Sequence, residues 1–139
     1  MRYSATMHVI TINSESLFQA LSDNTRLRII RLLATTEQEI CLCELVDALL
    51  EPQYKLSRHL KALRQAGLLI SQKEGRWVYH RLAEEPDYLQ QLYALVRSLP
   101  DPDQIYATDL KHFISRMALR EDGRCRIGIL SDDLKAGAE

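Results

Sequence analysis

The chain has 139 residues, 46% hydrophobic and 27% charged, with a formal net charge of −1. That suits one domain with a core of its own and excludes a chain that is basic throughout. No apolar run approaches a membrane span, and Met1 to Ile12 lacks the apolar stretch and small-residue cleavage site of a secretory signal. The three cysteines, two of them one residue apart, make a poor disulfide framework, so reduced thiols and a cytoplasmic location are expected.

Residues 1–13 read as an irregular arm. Ser14 is the expected N-cap of a first helix with Leu17, Ala20 and Leu21 on one face. Ser22, Asp23 and Asn24 interrupt the chain and cap a second helix, Thr25 to Ala34. It turns Leu27, Ile30 and Leu33 inward and leaves Arg26 and Arg28 to solvent or phosphate. Leu42, Leu45, Val46 and Leu49 follow a helical spacing, and Glu51-Pro52 ends that third helix. A fourth runs to about Ala66 on a Leu56, Leu60, Leu63 stripe, with Gly67 where a left-handed cap belongs.

Leu68 to Ile70 and Trp77 to Tyr79 read as strands of a hairpin turned at Gly75. Two later helices carry Leu89, Leu92, Tyr93 and Val96, then Tyr106, Leu110, Phe113 and Met117. The end, Asp122 to Glu139, is expected to fray. Two short helices, the second basic, followed by a hairpin, make a mainly α winged helix-turn-helix with a small β-hairpin.

The charges are distributed unevenly. From Gln53 to Arg81 the chain carries Lys55, Arg58, Lys61, Arg64, Lys73, Arg76 and Arg81 against Glu74 alone. Such a stripe on a near-neutral protein is a footprint for phosphate, whereas a single charged helix taken alone is more often a solvated face. Gln53, Tyr54, Lys55, Ser57, Arg58, His59 and Lys61 all stay off the leucine stripe. Gln53 suits adenine and Arg58 guanine or phosphate, and the helix N-terminus is the part that reaches base edges. Lys73 and Arg76 at the hairpin tip suit a minor groove or flanking backbone. The expected partner is double-stranded DNA.

Cys41-Leu42-Cys43 lies at the start of the third helix. Thiolates select soft or borderline ions. On a regular helix, residues two apart diverge by about 200° around the axis, so chelation by the pair requires extended backbone there or a distorted first turn. Without further context, a cysteine is more often a small buried hydrophobe.

Four segments in order, Ala20-Leu21-Ser22-Asp23-Asn24-Thr25-Arg26-Leu27-Arg28-Ile29, Cys41-Leu42-Cys43-Glu44-Leu45, Leu56-Ser57-Arg58-His59-Leu60-Lys61-Ala62-Leu63-Arg64 and Glu74-Gly75-Arg76-Trp77-Val78-Tyr79, resemble the ArsR/SmtB family over residues 15–82. The resemblance implies a homodimeric repressor on an imperfect palindrome, its first and late helices pairing across the dimer. It also implies release when a metal or metalloid binds, with no cofactor required. The chain then divides into an arm (1–13), a winged helix-turn-helix with a dimerisation helix (14–100) and a C-terminal helix with a flexible tail carrying Cys125 (101–139). The Cys-x-Cys pair is similar to the arsenic- and cadmium/lead-sensing branches, which implies trivalent arsenic as inducer, or else cadmium, lead or zinc. Arsenic sensors of this kind often carry a further cysteine where this chain has Val46. Cys125, from the same or the other subunit, is therefore the candidate third ligand beside Cys41 and Cys43. The late-helix zinc site of other members needs Asp and His at helical spacing. His112 is the one histidine in that region. His8 and His80 read as structural or solvated.

An enzyme reading finds no Cys-x-x-Cys motif, no βαβ pattern and no phosphate-cradling Gly-rich loop. A second alternative keeps the repressor and changes the signal, to thiol oxidation or a small organic ligand in the late-helix interface. A purely structural dimer leaves the basic helix and the hairpin unexplained.

Overall fold

The computed structural model describes residues 13–131. The arm expected over 1–13, Asn13 apart, and His8 lie outside them. The elements run α1 (Ser14–Leu21), α2 (Asn24–Thr36), β1 (Ile40–Cys41), α3 (Leu42–Leu49), α4 (Gln53–Gln65), β2 (Leu69–Glu74), β3 (Trp77–Leu82), α5 (Tyr88–Arg97) and α6 (Ile105–Met117). No helix among the described residues is long and apolar enough to cross a membrane.

Helix boundaries follow local chemistry. Asn13, not Ser14, caps α1, its side chain accepting from Ser16 N at 3.1 Å. Asp23 caps α2 through Arg26 N at 3.0 Å. Ile29, Ile30 and Leu33 of α2, Leu45 and Val46 of α3, and Leu56 and Leu63 of α4 are fully buried, each contributing about 1.5–3 kcal/mol of transfer energy. Leu27 only packs at the margin of this core. Leu50 ends α3 in the left-handed region (φ 56°), and Pro52 restarts the chain as N-cap of α4. Gly67 is left-handed at φ 85° and sends the chain into β2.

The hairpin is longer than its apolar residues suggested. β2 and β3 pair antiparallel from Leu69↔Leu82 to Glu74↔Trp77, with Gly75 at φ 65° in the turn. β1 adds a third strand, pairing Ile40 with His80 and Cys41 with Tyr79. This strand ties the start of α3 to the base of the wing. α6 packs on α3, and α5 on α2.

Arg28 corrects an expectation. It faces neither solvent nor phosphate but donates to Asp109 (2.9 and 2.8 Å), Glu51 (3.0 Å) and Leu49 O (2.7 Å). It is a structural link between α2, α3 and α6.

Candidate metal centre

Cys41 is the N-cap of α3 and has extended backbone, φ −86° and ψ 158°, because it still belongs to β1. Cys43 is already helical. The break between strand and helix falls inside the Cys-x-Cys motif, so the divergence of a regular helix does not apply. Cys125 arrives from the C-terminal end of the same chain. Its Sγ lies 3.6 Å from Cys43 Sγ. It also belongs to a cluster with Cys41 and Glu44 whose ligand atoms all lie within 4.8 Å of one another. For comparison, two sulfurs on one tetrahedral zinc with bonds of about 2.3 Å lie roughly 3.8 Å apart.

Cys125 does not sit on a frayed tail. It is fully buried with Cys41 and Tyr79, and Cys43 and Trp77 pack against them. Its N–H donates to Tyr79 Oη at 2.9 Å. Beyond it, Arg116 of α6 donates to Ile127 O (2.6 Å) and Gly128 O (2.9 Å), and Asp47 of α3 accepts from Leu130 N (3.0 Å) and Ser131 N (3.0 Å). Arg116 and Asp47 bond each other at 2.8 Å. The segment is thus strapped to α3 and α6. The arginines flanking Cys125 bond groups other than its thiol. Arg124 holds Glu74 at 2.6 Å and lies 3.9 Å over the Tyr79 ring, and Arg126 donates to Cys125 O at 3.3 Å.

Burial governs the two paired thiols. It pushes the Cys41 thiol far above its ordinary range, with the Glu44 carboxylate and the neighbouring thiols adding to it. Burial pushes Cys43 up to about 12, Cys125 reinforcing and Arg116 opposing. A helix N-terminus favours thiolate, but at these two cysteines desolvation outweighs it. Glu44 behaves oppositely: burial alone would raise its carboxyl, but Arg120 and the Cys41 N–H hold it below the ordinary value.

Sequence reasoning missed Asp47, Glu44, Tyr79, Arg116 and Arg120. Glu44 carried a signal, three residues after Cys41 in the pattern of a capping box, and its Oε1 does accept the Cys41 N–H at 3.0 Å. His112 meets Ala48 O at 3.2 Å, and His80 is buried against Ser71 Oγ at 2.7 Å. Neither joins the thiol cluster.

The DNA candidates lie on α4 and the wing. Tyr54, Ser57, Arg58, Lys61, Lys73 and Arg76 are exposed, with Arg58 5.6 Å from the Tyr54 ring centroid and Arg76 4.7 Å from that of Trp77. Gln53 is half-buried at the start of α4. Lys55 is bonded to Glu51 at 2.8 Å, and His59 lies 3.8 Å from Asp23.

Residues 23–71 match the family described as bacterial regulatory protein, arsR family. The chain is 43% identical over 82 residues to arsenic resistance transcriptional regulator ArsR2 of Pseudomonas putida, 58% of this chain and 70% of that one. The chain belongs to the ArsR family. ArsR1 of the same organism is 43% identical over 88 residues, 63% of this chain and 66% of that protein. The arsenical resistance operon repressor of Escherichia coli is 49% identical over 67 residues, 48% and 56%. This ArsR-family chain thus spans just over half to about two thirds of those relatives. The family match ends at residue 71, and Cys125 lies far beyond it.

Proposed function

We propose that this chain is a transcriptional repressor that binds double-stranded operator DNA as a homodimer and leaves it when trivalent arsenic is held by Cys41, Cys43 and Cys125 of one subunit. The observation that carries this reading is the place of Cys125, whose sulfur lies 3.6 Å from that of Cys43 and within 4.8 Å of that of Cys41. Three sulfurs fit the pyramidal coordination of trivalent arsenic.

Electrostatics favours the same ion. Arsenous acid condenses with three protonated thiols to a neutral tris-thiolate, releasing three waters and no net proton. A divalent ion must displace the thiol protons and leaves a net negative charge. In a site where burial already pushes Cys43 up to about 12, the neutral product is the cheaper one to bury. Cadmium, lead and zinc are therefore weaker inducers on this account.

Coupling to DNA follows from position. Cys41 and Cys43 begin α3, and α3 leads through Leu50 to Pro52 into the basic helix α4. Drawing three sulfurs onto one ion repositions that first turn, and the binding free energy favours a conformation less suited to DNA. On α4 and the wing, Gln53, Tyr54, Lys55, Ser57, Arg58, His59, Lys61, Lys73 and Arg76 are the groups proposed to meet DNA. Phe18 of α1, Leu95 of α5 and Ile114 of α6 are 62%, 57% and 60% exposed, which supports pairing of first and late helices between two copies.

The 3.6 Å sulfur separation also favours a second reading, a Cys43–Cys125 disulfide formed by an oxidant. A gel shift on the protein's own promoter, with arsenite, cadmium, zinc and peroxide as separate arms, separates the two. Release at low arsenite supports the proposal. Release by peroxide alone, reversed by a dithiol, replaces it with the redox reading, and no DNA binding at moderate salt removes both.

A further inference from the structure

Glu44 is the carboxylate in the thiol cluster, with an oxygen within 4.8 Å of the Cys41 and Cys125 sulfurs. By distance it is a fourth ligand. By hydrogen bonding both of its oxygens are already engaged. Oε1 accepts from Cys41 N at 3.0 Å and from Arg120 Nη2 at 2.8 Å, and Oε2 accepts from Arg120 Nε at 2.8 Å. Arg120 is fixed in turn: Nη2 also donates to Glu39 O at 2.9 Å and Nη1 to Gly123 O at 3.2 Å. Its side chain is 8% exposed and that of Glu44 0%.

We infer that Arg120 sets the ion selectivity of the thiol site by occupying both Glu44 oxygens, so that the site offers three sulfurs and no fourth ligand. The inference rests on Cys41, Cys43 and Cys125 being the ligands. Trivalent arsenic is complete with three sulfurs, whereas zinc, and cadmium by the same chemistry, take four donors in closed protein sites. For Glu44 to ligate, its carboxylate must turn out of a two-pronged guanidinium pair. That strands a buried Arg120 charge and also removes the cap on Cys41 N, at the residue that begins the site. Arg120 touches no ion; it is a positioning residue acting through Glu44.

The test compares cadmium and arsenite affinities of the full chain, measured by competition with a chelator and a dithiol respectively. Arg120→Lys keeps the positive charge but replaces the fork with a point donor, freeing one Glu44 oxygen. The cadmium-to-arsenite affinity ratio is expected to rise about tenfold or more, as outer-shell changes typically alter metal affinity by 10–100-fold. Adding Glu44→Gln to Arg120→Lys should cancel the gain. Arg120→Met provides a second arm, and where its stability is low the shift of its urea midpoint by each ion gives the same ratio. An unchanged ratio in both Arg120 variants overturns the inference. So does a gain that survives Glu44→Gln. If wild-type arsenite binding is undiminished in Cys125→Ser, the thiol-site reading and this inference fall together. If binding is lost there but the ratio ignores Arg120, only the inference falls.

Discussion

Replacing Asp47 with asparagine should loosen the strap that carries Cys125. Asp47 accepts Arg116 Nε at 2.8 Å and the N–H groups of Leu130 and Ser131. The Arg116 and Asp47 side chains are 3% and 8% exposed. Removing one partner of a buried pair costs about 3–5 kcal/mol. Arg116 keeps the Ile127 and Gly128 carbonyls, which places the loss near the lower end, at about 3 kcal/mol. With a urea slope of about 2 kcal/mol/M, the midpoint should fall by about 1.5 M. Burial alone would raise the Asp47 carboxyl, but the Leu130 N–H, Arg116 and Ser131 hold it below its ordinary value. Its contribution is therefore present above the unfolded pKa and lost as pH falls through the folded one. Urea unfolding followed by circular dichroism, at fixed protein concentration and two pH values, measures both effects. Arsenite affinity should fall in the same variant. A loss under about 1 kcal/mol at neutral pH, or a wild-type advantage that grows on acidification, would show that Asp47 does not hold the strap as a buried ion pair.

Other consequences are open to direct measurement. Between about pH 6 and 8, cadmium affinity should climb with pH as thiol protons are displaced, while arsenite affinity stays nearly flat; calorimetry in two buffers of different ionisation heat checks this. Arg58→Ala and Lys73→Ala should each reduce the slope of log K against log salt by about 1 if they contact phosphate, with fluorescence anisotropy as the readout. Burial lowers His80 to about 4, with Arg64 contributing. The unfolded chain then binds the extra proton first as pH falls below about 6.5, so His80 should cost about 2–3 kcal/mol of stability between there and its folded pKa. A pH-stability profile of His80→Gln should lack that step.

Much of the fold was legible because its signals are local. The Leu56, Leu60 and Leu63 stripe, Pro52 before α4, and glycines 67 and 75 at positive φ each act within a few residues. β1 was not legible, because two residues carry no periodicity and their pairing with His80 and Tyr79 is long-range. The same holds for Arg28, whose partners Asp109 and Glu51 lie on other elements. At the site, the sequence pointed to all three cysteines but left open which subunit supplies Cys125. In the structure Cys125 lies beside Cys43 of its own chain, its N–H on Tyr79 and the segment after it bound to Arg116 and Asp47, long-range contacts that leave no local pattern.

In the proposed function one ion is held by three sulfurs of a single chain. X-ray absorption at the arsenic edge of the arsenite-bound protein counts the atoms bonded to that ion. Three sulfur neighbours and no oxygen are expected in the wild type, falling to two sulfurs and one oxygen in Cys125→Ser. Two sulfurs in the wild type, or an unaltered shell in Cys125→Ser, would contradict that arrangement.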